Sequence, residues 1–439
     1  MPNSIIIQKK IEKFDKKILV NGDKSLSIRW VLFSSLASGM SEAKNLLLSE
    51  DVLAAINLIK KLGIKVMLKK NSCKIYGKGV EGYKYKNNLR LNAENSGTLG
   101  RLILGLLINT PNAIKLTGDK SLSLRDFKRV TKPLTQFGAR FVLKKNYGLP
   151  LTITGTKKLK PIKYLEKRGS AQCKSSIIFG GMRTEGKTII KAKKSRNHTE
   201  LMCKYLKLPI KIENKKNYDL IKISKVNYIN KFDYKIPSDI SSAAFFIVLT
   251  VLTKNSKILI KNVNINPSRI GIIEILRKMG VKFFFKNKKD YRGETIADII
   301  VKSTSKLKSI NCPKSLSSNA IDELLIIFLV AAKANGVSYF RNLSELNKKE
   351  SPRLKWAIKI LKFLNIKTVA TNDAIKIFGN PKIKINKKVI IKNFLKDHRV
   401  FMTSVIAALS FGGHWTIHDK DSIKTSFPLF MNILNKLKK

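Results

Sequence analysis

The stretch KSLSIRWVLFSSLASGMSEAKNLLL, residues 24–48, decides the fold because its pattern recurs five more times along the chain. A polar turn leads into an apolar run of helical length, which stops at Gly or Asn and is followed by a short strand-like run. The six copies are about 70–80 residues apart and begin at Lys24, Ser96, Ser170, Asp239, Asp322 and Asp397. Such regular self-similarity indicates a fold built from repeated supersecondary units.

A second helical segment follows most copies. In DVLAAINLIKKLGIKV, residues 51–66, apolar residues recur at i, i+3, i+4 and i+7, and lysines occupy the other face. This pattern predicts an exposed amphipathic helix, whereas the first helix of each copy is apolar all round and is expected to be buried. Six such α/β units predict two domains of three units each, with NYINKFDYKIPSD, residues 227–239, as the linker.

Composition excludes several classes of protein. The chain has no run of about 18 apolar residues, so no membrane-spanning helix is expected. The N-terminal stretch MPNSIIIQKK does not have the pattern of a secretory signal. The four cysteines, Cys73, Cys173, Cys203 and Cys312, form no C-x-x-C pair, which argues against a disulfide framework and against a zinc site. A reducing, cytoplasmic setting is expected.

The formal net charge of +58 would by itself favour a nucleic-acid-binding protein. The cations are dispersed along the whole chain, however, and only 15 of the 87 basic residues are arginines. Lysines beside Asn and Ile, as in NKKVIIKN at 386–393, are typical of compositional drift. The arginines are therefore the informative cations, because a guanidinium grips carboxylate or phosphate bidentately and an ammonium does not.

Cations stand at four of the six helix starts among small polar residues, and Arg125 and Arg353 are expected to open second helices. Capping explains Ser, Thr, Asp and Asn at a helix N-terminus. It does not explain Arg29, Arg101 or Arg399, because a cation there opposes the helix dipole. For any one position a cap and an anion-binding group both remain open interpretations. For the whole set, an anionic ligand with more than one charged group is the better explanation.

Acidic residues stand among these cations. Asp322 and Glu323 begin an apolar helix, and Glu350 lies in KKESPR, residues 348–353. Glu350 has two interpretations: a salt bridge with Lys349 or Arg353, or general acid and base chemistry beside bound anions.

The chain resembles the 5-enolpyruvylshikimate-3-phosphate synthases, shikimate-pathway enzymes that join shikimate 3-phosphate to phosphoenolpyruvate. The resemblance rests on motifs that occur in order over about 400 residues: GDKSLSIR, NSGTLGR, LTGDKSLSLR, SAQCKS, SRNHTE, PSDISSAAFF, NPSR, IDELLI, KESPR, DHR and TSFP. SAQCKS and SRNHTE are similar to the class II branch of the family.

The resemblance implies an enolpyruvyl transferase fold, an inside-out α/β barrel. Each domain would hold three βαβαββ-type units with inward-facing helices. The N-terminal domain would span 22–236, the C-terminal domain 1–21 plus 237–439, and the active site the cleft between them. The resemblance also implies a monomer that uses no metal or organic cofactor and binds neither nucleic acid nor membrane.

The resemblance also implies roles for individual residues. Shikimate 3-phosphate would be held by nine: Lys24, Ser25, Arg29, Ser170, Gln172, Ser195, Arg196, Asp322 and Lys349. Phosphoenolpyruvate would contact six: Lys24, Gly97, Arg125, Gln172, Arg353 and Arg399. The resemblance implies three catalytic residues, which are Asp322, Glu350 and Lys24. Asp322 would take the proton of the 5-hydroxyl, and Glu350 would exchange a proton with C3 of phosphoenolpyruvate.

Departures from the family pattern occur at Asn21, Asp126 and Pro352, and Lys424 is one place away from a lysine that some relatives use. Three alternatives remain. A sister transferase acting on a UDP-amino sugar shares the fold but normally presents a reactive loop cysteine. A nucleic-acid-binding protein would cluster its cations with aromatic residues. A degenerate, inactive relative would not be expected to retain Lys24, Asp322, Glu350 and Arg399.

Overall fold

The repeated pattern of the sequence becomes a repeated set of elements in the computed structural model, which describes residues 3–69 and 72–438. The helices are α1 Lys24–Leu36, α2 Glu50–Lys61, α3 Gly97–Leu106, α4 Lys120–Ser123, α5 Lys128–Gln136, α6 Ala171–Gly181, α7 His198–Tyr205, α8 Ile240–Leu252, α9 Gly271–Lys278, α10 Lys314–Asn319, α11 Leu324–Lys333, α12 Arg353–Phe363, α13 His398–Phe411 and α14 Phe430–Lys438. Short 3-10 helices span Ser344–Lys348 and Lys420–Thr425.

The strands are short throughout. They are β1 Ser4–Ile7, β2 Asp15–Ile18, β3 Ser38–Lys44, β4 Lys65–Leu68, β5 Ser72–Lys78, β6 Leu89–Asn92, β7 Ile114–Thr117, β8 Arg140–Val142, β9 Leu151–Thr154, β10 Lys163–Glu166, β11 Lys187–Lys193, β12 Ile210–Asn214, β13 Tyr218–Ser224, β14 Tyr234–Lys235, β15 Lys257–Asn264, β16 Phe283–Tyr291, β17 Glu294–Lys302, β18 Gly336–Arg341, β19 Thr368–Ala370, β20 Ala374–Gly379, β21 Lys388–Ile391 and β22 His414–His418.

Gly22–Ile236, together with the turn Arg292–Glu294, forms one compact unit, called here the N-terminal unit. It contains three four-stranded sheets with the orders β14-β3-β5-β4, β6-β7-β9-β8 and β10-β11-β13-β12. In each sheet the first strand of the order given pairs parallel with its neighbour, and the remaining pairs are antiparallel. The second and third repeats follow a βαβαββ order along the chain, with one extra short helix, α4, in the second, and the first repeat takes its opening strand, β14, from the end of the unit.

The C-terminal unit comprises the described residues up to Asn21, Pro237–Tyr291 and the described residues from Thr295 onward. Its sheets have the orders β16-β17-β15-β2, β18-β20-β19 and β1-β22-β21. The two N-terminal strands complete sheets formed by later parts of the chain, because β2 pairs parallel with β15 and β1 pairs antiparallel with β22. This pairing explains why the first residues belong to the C-terminal unit.

The first helix of each repeat is buried, as its apolar surface predicted. Every residue of α8 is buried, and so are eleven of the thirteen residues of α1. Gly105 of α3 shows how closely such helices pack, because a Cβ there would lie 2.1 Å from the carbonyl oxygen of Ser176 in α6. In the C-terminal unit, α8, α11 and α13 contact one another. A helix buried on all sides leaves only its ends for polar chemistry.

Two helix boundaries differ from the sequence-based expectation. Arg125 does not open the second helix of its repeat, which begins at Lys128 with Phe127 in the N-cap position, and the Asp126 carboxylate accepts a hydrogen bond from the Lys128 amide at 2.7 Å. Asp322 precedes α11 without belonging to it, and Glu323 occupies the N-cap position. Among the described residues, no helix is both long and apolar enough to span a membrane.

We predict that the four thiols do not react in the folded protein. All four cysteines are free and buried, and burial raises the pKa of Cys73 and of Cys173 to about 12. Because the thiolate is the reactive form, titration with a thiol reagent at pH 8 is expected to detect none of them before guanidinium is added. Rapid labelling of the native protein would contradict this prediction.

Candidate active site

The three buried helices of the N-terminal unit begin with side-chain caps. Asp23, Ser96 and Ser170 accept hydrogen bonds from the amides of Leu26, Leu99 and Cys173 at 2.9, 3.3 and 3.2 Å. Asp23 is therefore the N-cap residue of α1. Lys24, the first residue of α1, lies 2.9 Å from the carboxylate of Asp51 in α2, a partner that no motif indicated.

Arg29 ties three helices of the N-terminal unit together. Its side chain donates from Nε to Thr199 Oγ1 at 2.7 Å, from Nη2 to Ser175 Oγ at 3.1 Å and from Nη1 to the Ser25 carbonyl at 3.0 Å. Thr199 and Ser175 are also hydrogen-bonded to each other at 2.7 Å. The guanidinium, 3% exposed, therefore fixes the first turn of α1 against α6 and α7.

Gln172 is held between two residues of α3. Its Oε1 accepts a hydrogen bond from Arg101 Nη1 at 2.5 Å, and its Nε2 donates to Thr98 Oγ1 at 3.0 Å. Arg101 also donates to the Asp126 carbonyl at 3.3 Å and lies over the Phe127 ring. Arg101 and Thr98 thereby fix the orientation of the Gln172 amide.

Gly97 leaves room for two guanidinium groups. A Cβ at this position would lie 3.0 Å from Arg125 Nη1 and 3.2 Å from Arg101 Nη1. Both distances are shorter than most real Cβ contacts, so the glycine allows the two cations to approach the first turn of α3. Arg125 follows α4 rather than opening a helix, but it does lie beside Gly97.

The loops before α6 and α7 hold the remaining predicted residues of this unit. The buried carboxylate of Glu166 accepts from the amides of Arg168, Gly169 and Ser170 at 3.1, 2.7 and 3.1 Å, which shapes the approach to α6. Ser195 and Arg196 precede α7. In the part of the chain that the structure describes, the shielded Ser195 hydroxyl has no hydrogen-bond partner.

In the C-terminal unit the site is organised around Arg353, the first residue of α12. Its guanidinium is 2% exposed and contacts three carboxylates: Nε lies 2.8 Å from Asp397, Nη1 lies 3.5 Å from Asp322, and Nη2 donates to Glu350. Burial alone would lower the pKa of Arg353, but Asp397, Glu350 and Asp322 raise it above its ordinary value. The guanidinium is therefore a permanent cation among three acids.

Asp397 is the acid that anchors this cluster, although the sequence pointed to it only as a helix start. It is fully buried, caps α13 through the Arg399 amide at 2.9 Å and accepts from the Ser351 hydroxyl at 2.9 Å. Burial would raise the pKa of Asp397, but the attraction of Arg353 outweighs this and lowers it. Asp397 is therefore ionised and holds Arg353 in place.

The two predicted proton-transfer residues lie on the accessible side of this cluster. The side chains of Asp322 and Glu350 are 15% and 18% exposed. Asp322 also pairs with Lys349 at 3.1 Å. For Glu350 the salt-bridge interpretation holds with Arg353 as its partner, and this contact leaves the acid reachable from outside the cluster.

Arg399, in the first turn of α13, reaches the start of α11. Its Nη1 donates to the Asp322 carbonyl and lies 3.8 Å from Glu323 Oε1. Close by, Thr425 contacts His398 Nδ1 at 3.2 Å, whereas Lys424 is exposed. The structure therefore brings Thr425, not Lys424, to the start of α13.

The remaining departures from the family pattern have the following surroundings. Pro352 occupies the N-cap position of α12, immediately before Arg353. The Asn21 carbonyl accepts a hydrogen bond from the Asp239 amide at 3.0 Å. Within 3–69 and 72–438, no group of three or more His, Cys, Asp and Glu residues could hold a metal ion.

We predict that Asp397→Asn lowers the stability of the protein by about 3–5 kcal/mol near neutral pH, because it leaves the buried Arg353 charge without its most buried partner. The folded-state pKa of Asp397 is depressed, so its contribution is complete above its ordinary value of 3.8 and is lost as the pH falls below it. Thermal unfolding of both proteins should therefore differ most above this pH and converge below it.

Asp15→Asn is the matched control for this comparison. It removes a carboxylate of the same unit that is 67% exposed and pairs with Lys257 at 3.2 Å. An exposed pair is worth about 0–1 kcal/mol, so this variant should unfold almost as the parent does. Equal losses in the two variants would contradict the role assigned to Asp397.

Comparisons with known proteins identify the family. The sequence model of the EPSP synthase (3-phosphoshikimate 1-carboxyvinyltransferase) family matches residues 8–434. A 3-phosphoshikimate 1-carboxyvinyltransferase of Caldicellulosiruptor bescii is 39% identical over 424 residues, which are 96% of each chain. The solved EPSP synthase of Acinetobacter baumannii shares 33% identity at a TM-score of 0.86, covering 98% of this chain and 97% of its own.

The solved enolpyruvyl transferase NikO of Streptomyces tendae shares only 14% identity, at a TM-score of 0.75 over 100% of this chain and 98% of its own, so it bears on the fold alone. The fold, the family and the transferase activity that the sequence predicted are confirmed. Because the family model matches residues 8–434 and a curated relative is 39% identical to it, this chain belongs to the EPSP synthase family.

Proposed function

We propose that this chain transfers the enolpyruvyl group of phosphoenolpyruvate to the 5-hydroxyl of shikimate 3-phosphate with the residues described above. The observation that carries the assignment of roles is the cluster around Arg353, where one buried guanidinium contacts Asp322 and Glu350. The reaction needs acids that exchange protons beside bound anions, and this cluster supplies two of them next to a fixed cation.

In this proposal Glu350 donates a proton to C3 of phosphoenolpyruvate, which gives C2 cationic character. Asp322 accepts the proton of the 5-hydroxyl as its oxygen adds to C2, and a tetrahedral intermediate results. Loss of phosphate and return of a C3 proton to Glu350 then complete the transfer. The contact with Arg353 holds the Glu350 carboxyl in one place, as general acid catalysis requires. Because the same contact favours the carboxylate, Glu350 must bind a proton before it donates one to C3.

The binding roles are assigned mainly to the lysine and arginine side chains of each unit. We assign phosphoenolpyruvate to Arg353 and Arg399, with Lys24, Gly97, Arg125 and Gln172. We assign shikimate 3-phosphate to Lys24, Ser25, Arg29, Ser170, Gln172, Ser195 and Arg196, with Asp322 and Lys349. Two polyanions must be held side by side, and fixed cations offset their repulsion without reorganising.

The proposal also covers the cellular setting and the oligomeric state of the protein. It assigns residues of both units to one reaction. The four free, buried cysteines support a reducing, cytoplasmic setting. We further propose a monomer that does not bind nucleic acid, which light scattering and a DNA titration at physiological salt would test.

We predict that purified protein releases phosphate when it is mixed with shikimate 3-phosphate and phosphoenolpyruvate, and that Glu350→Gln lowers kcat by about 10²–10⁴-fold because the amide cannot donate the proton to carbon. Glu345→Gln is the control, since this glutamate is 50% exposed and pairs with Lys348 at 3.1 Å. Phosphate release that is undiminished in Glu350→Gln would overturn the role of Glu350, and no release by the parent would overturn the proposed function.

We predict that Gly97→Ala raises the KM for phosphoenolpyruvate by about tenfold, because the added methyl displaces Arg125 and Arg101 and small misplacements of binding groups are costly. Gly100→Ala changes the same helix one turn further along, where a Cβ would meet Ala93 and Phe127 at an ordinary 3.4 Å, and should change the KM little. Equal effects of both substitutions in steady-state kinetics would contradict this prediction.

A further inference from the structure

Glu323 is a buried carboxylate that helix capping does not explain. It occupies the N-cap position of α11 with its side chain 0% exposed, yet it forms no side-chain cap hydrogen bond. One of its oxygens, Oε2, is shielded from solvent and has no hydrogen-bond partner among the described residues. Burying a charge is costly unless it is paired, so this carboxylate calls for a function outside α11.

On one side Glu323 is fixed by a chain of polar groups that begins at α8. The Ser241 hydroxyl donates to Glu323 Oε1, and the same hydroxyl accepts from Arg269 Nη2 at 2.8 Å. Arg269 also pairs with Asp239 at 3.3 Å, and Asp239 accepts from the Ser241 amide at 2.7 Å. All four of these residues are buried, so the position of the carboxylate is set from within the C-terminal unit.

On its other side Glu323 faces Arg399. Arg399 Nη1 lies 3.8 Å from Glu323 Oε1 and donates to the Asp322 carbonyl, so both protein contacts of this guanidinium use the same nitrogen. Within the described chain, Nε and Nη2 of Arg399 contact no protein acceptor. These two nitrogens form one edge of the guanidinium, and such an edge can bind a carboxylate or a phosphate through two parallel hydrogen bonds.

We propose that Glu323 is a positioning residue for phosphoenolpyruvate binding, which attracts Nη1 of Arg399 and so presents the Nε–Nη2 edge to the anionic substrate. The inference rests on the proposed role of Arg399 as a ligand of phosphoenolpyruvate. Glu323 itself touches no substrate. The chain Asp239–Arg269–Ser241 keeps the carboxylate in place while the guanidinium is free to bind.

The first test is Glu323→Gln, which keeps the shape of the side chain and removes its charge. The KM for phosphoenolpyruvate is expected to rise about tenfold, the effect of losing one charge-assisted contact. The Kd for shikimate 3-phosphate, measured calorimetrically without phosphoenolpyruvate, should stay within twofold of the parent value. A general structural defect would instead weaken both substrates, and an unchanged KM would overturn the inference.

Ser241→Ala provides a second route if Glu323→Gln does not fold. It removes the hydroxyl that holds Oε1 and should raise the KM for phosphoenolpyruvate in the same direction but by less. The neighbouring Ser242→Ala is the matched control, because Ser242 is also buried at the start of α8 and no contact joins it to Glu323. Equal effects of the two serine variants would count against the inference.

A double-mutant cycle with Arg399→Lys separates this inference from the proposed function. If Glu323 acts through Arg399, then Glu323→Gln adds less than a twofold change in KM once Arg399 is lysine. Additive effects would show that Glu323 acts elsewhere and would overturn the inference while leaving the role of Arg399 intact. An unchanged KM in Arg399→Lys alone would overturn the role of Arg399, and the inference with it.

Discussion

The constraint on which the structure depends is that the first helix of each repeat is buried along its whole length. Such a helix meets solvent or a ligand only at its ends, and its first turn leaves backbone amides that need acceptors. Asp23, Ser96, Ser170, Asp239 and Asp397 supply those acceptors at five of the six starts. Buried charged side chains are therefore concentrated at helix starts, and candidate site residues are among them.

The two units use these helix starts differently. In the C-terminal unit the three N-cap residues are acids, and each has an arginine close by: Asp239 with Arg269, Glu323 with Arg399 and Asp397 with Arg353. In the N-terminal unit two of the three caps are serines, and the neighbouring guanidinium groups of Arg29 and Arg101 are bound by hydroxyl, amide and carbonyl oxygens. Charge neutralisation inside the C-terminal unit places carboxyls beside cations, as proton transfer requires.

The repeats and the ordered motifs were sufficient to predict the fold class, the buried helices and the family, because apolar periodicity and short motifs are local in sequence. The partners of the site residues were not predictable in this way. Arg29 bonds Thr199, Arg353 bonds Asp397, and Ser241 bonds Glu323, and each pair joins residues far apart in the chain. Asp51 and Glu166 carry no motif of their own and gain significance only from what they contact. Helix ends were predictable to within a few residues. Arg125, for example, was expected to open a helix that in fact begins at Lys128.

The buried cations differ in type from those on the surface. Among the described residues Lys174 is the one buried lysine, and it pairs with Glu200 at 2.6 Å, whereas five arginines are buried: Arg29, Arg101, Arg183, Arg269 and Arg353. A surface lysine can accumulate by drift because it costs little in stability. A buried cation must satisfy several acceptors in fixed directions, which a planar guanidinium does and an ammonium does not. Arg29 and Arg353 each bind three groups of the protein, so replacement by lysine would leave acceptors unpaired at the helix starts where the reaction is proposed to occur.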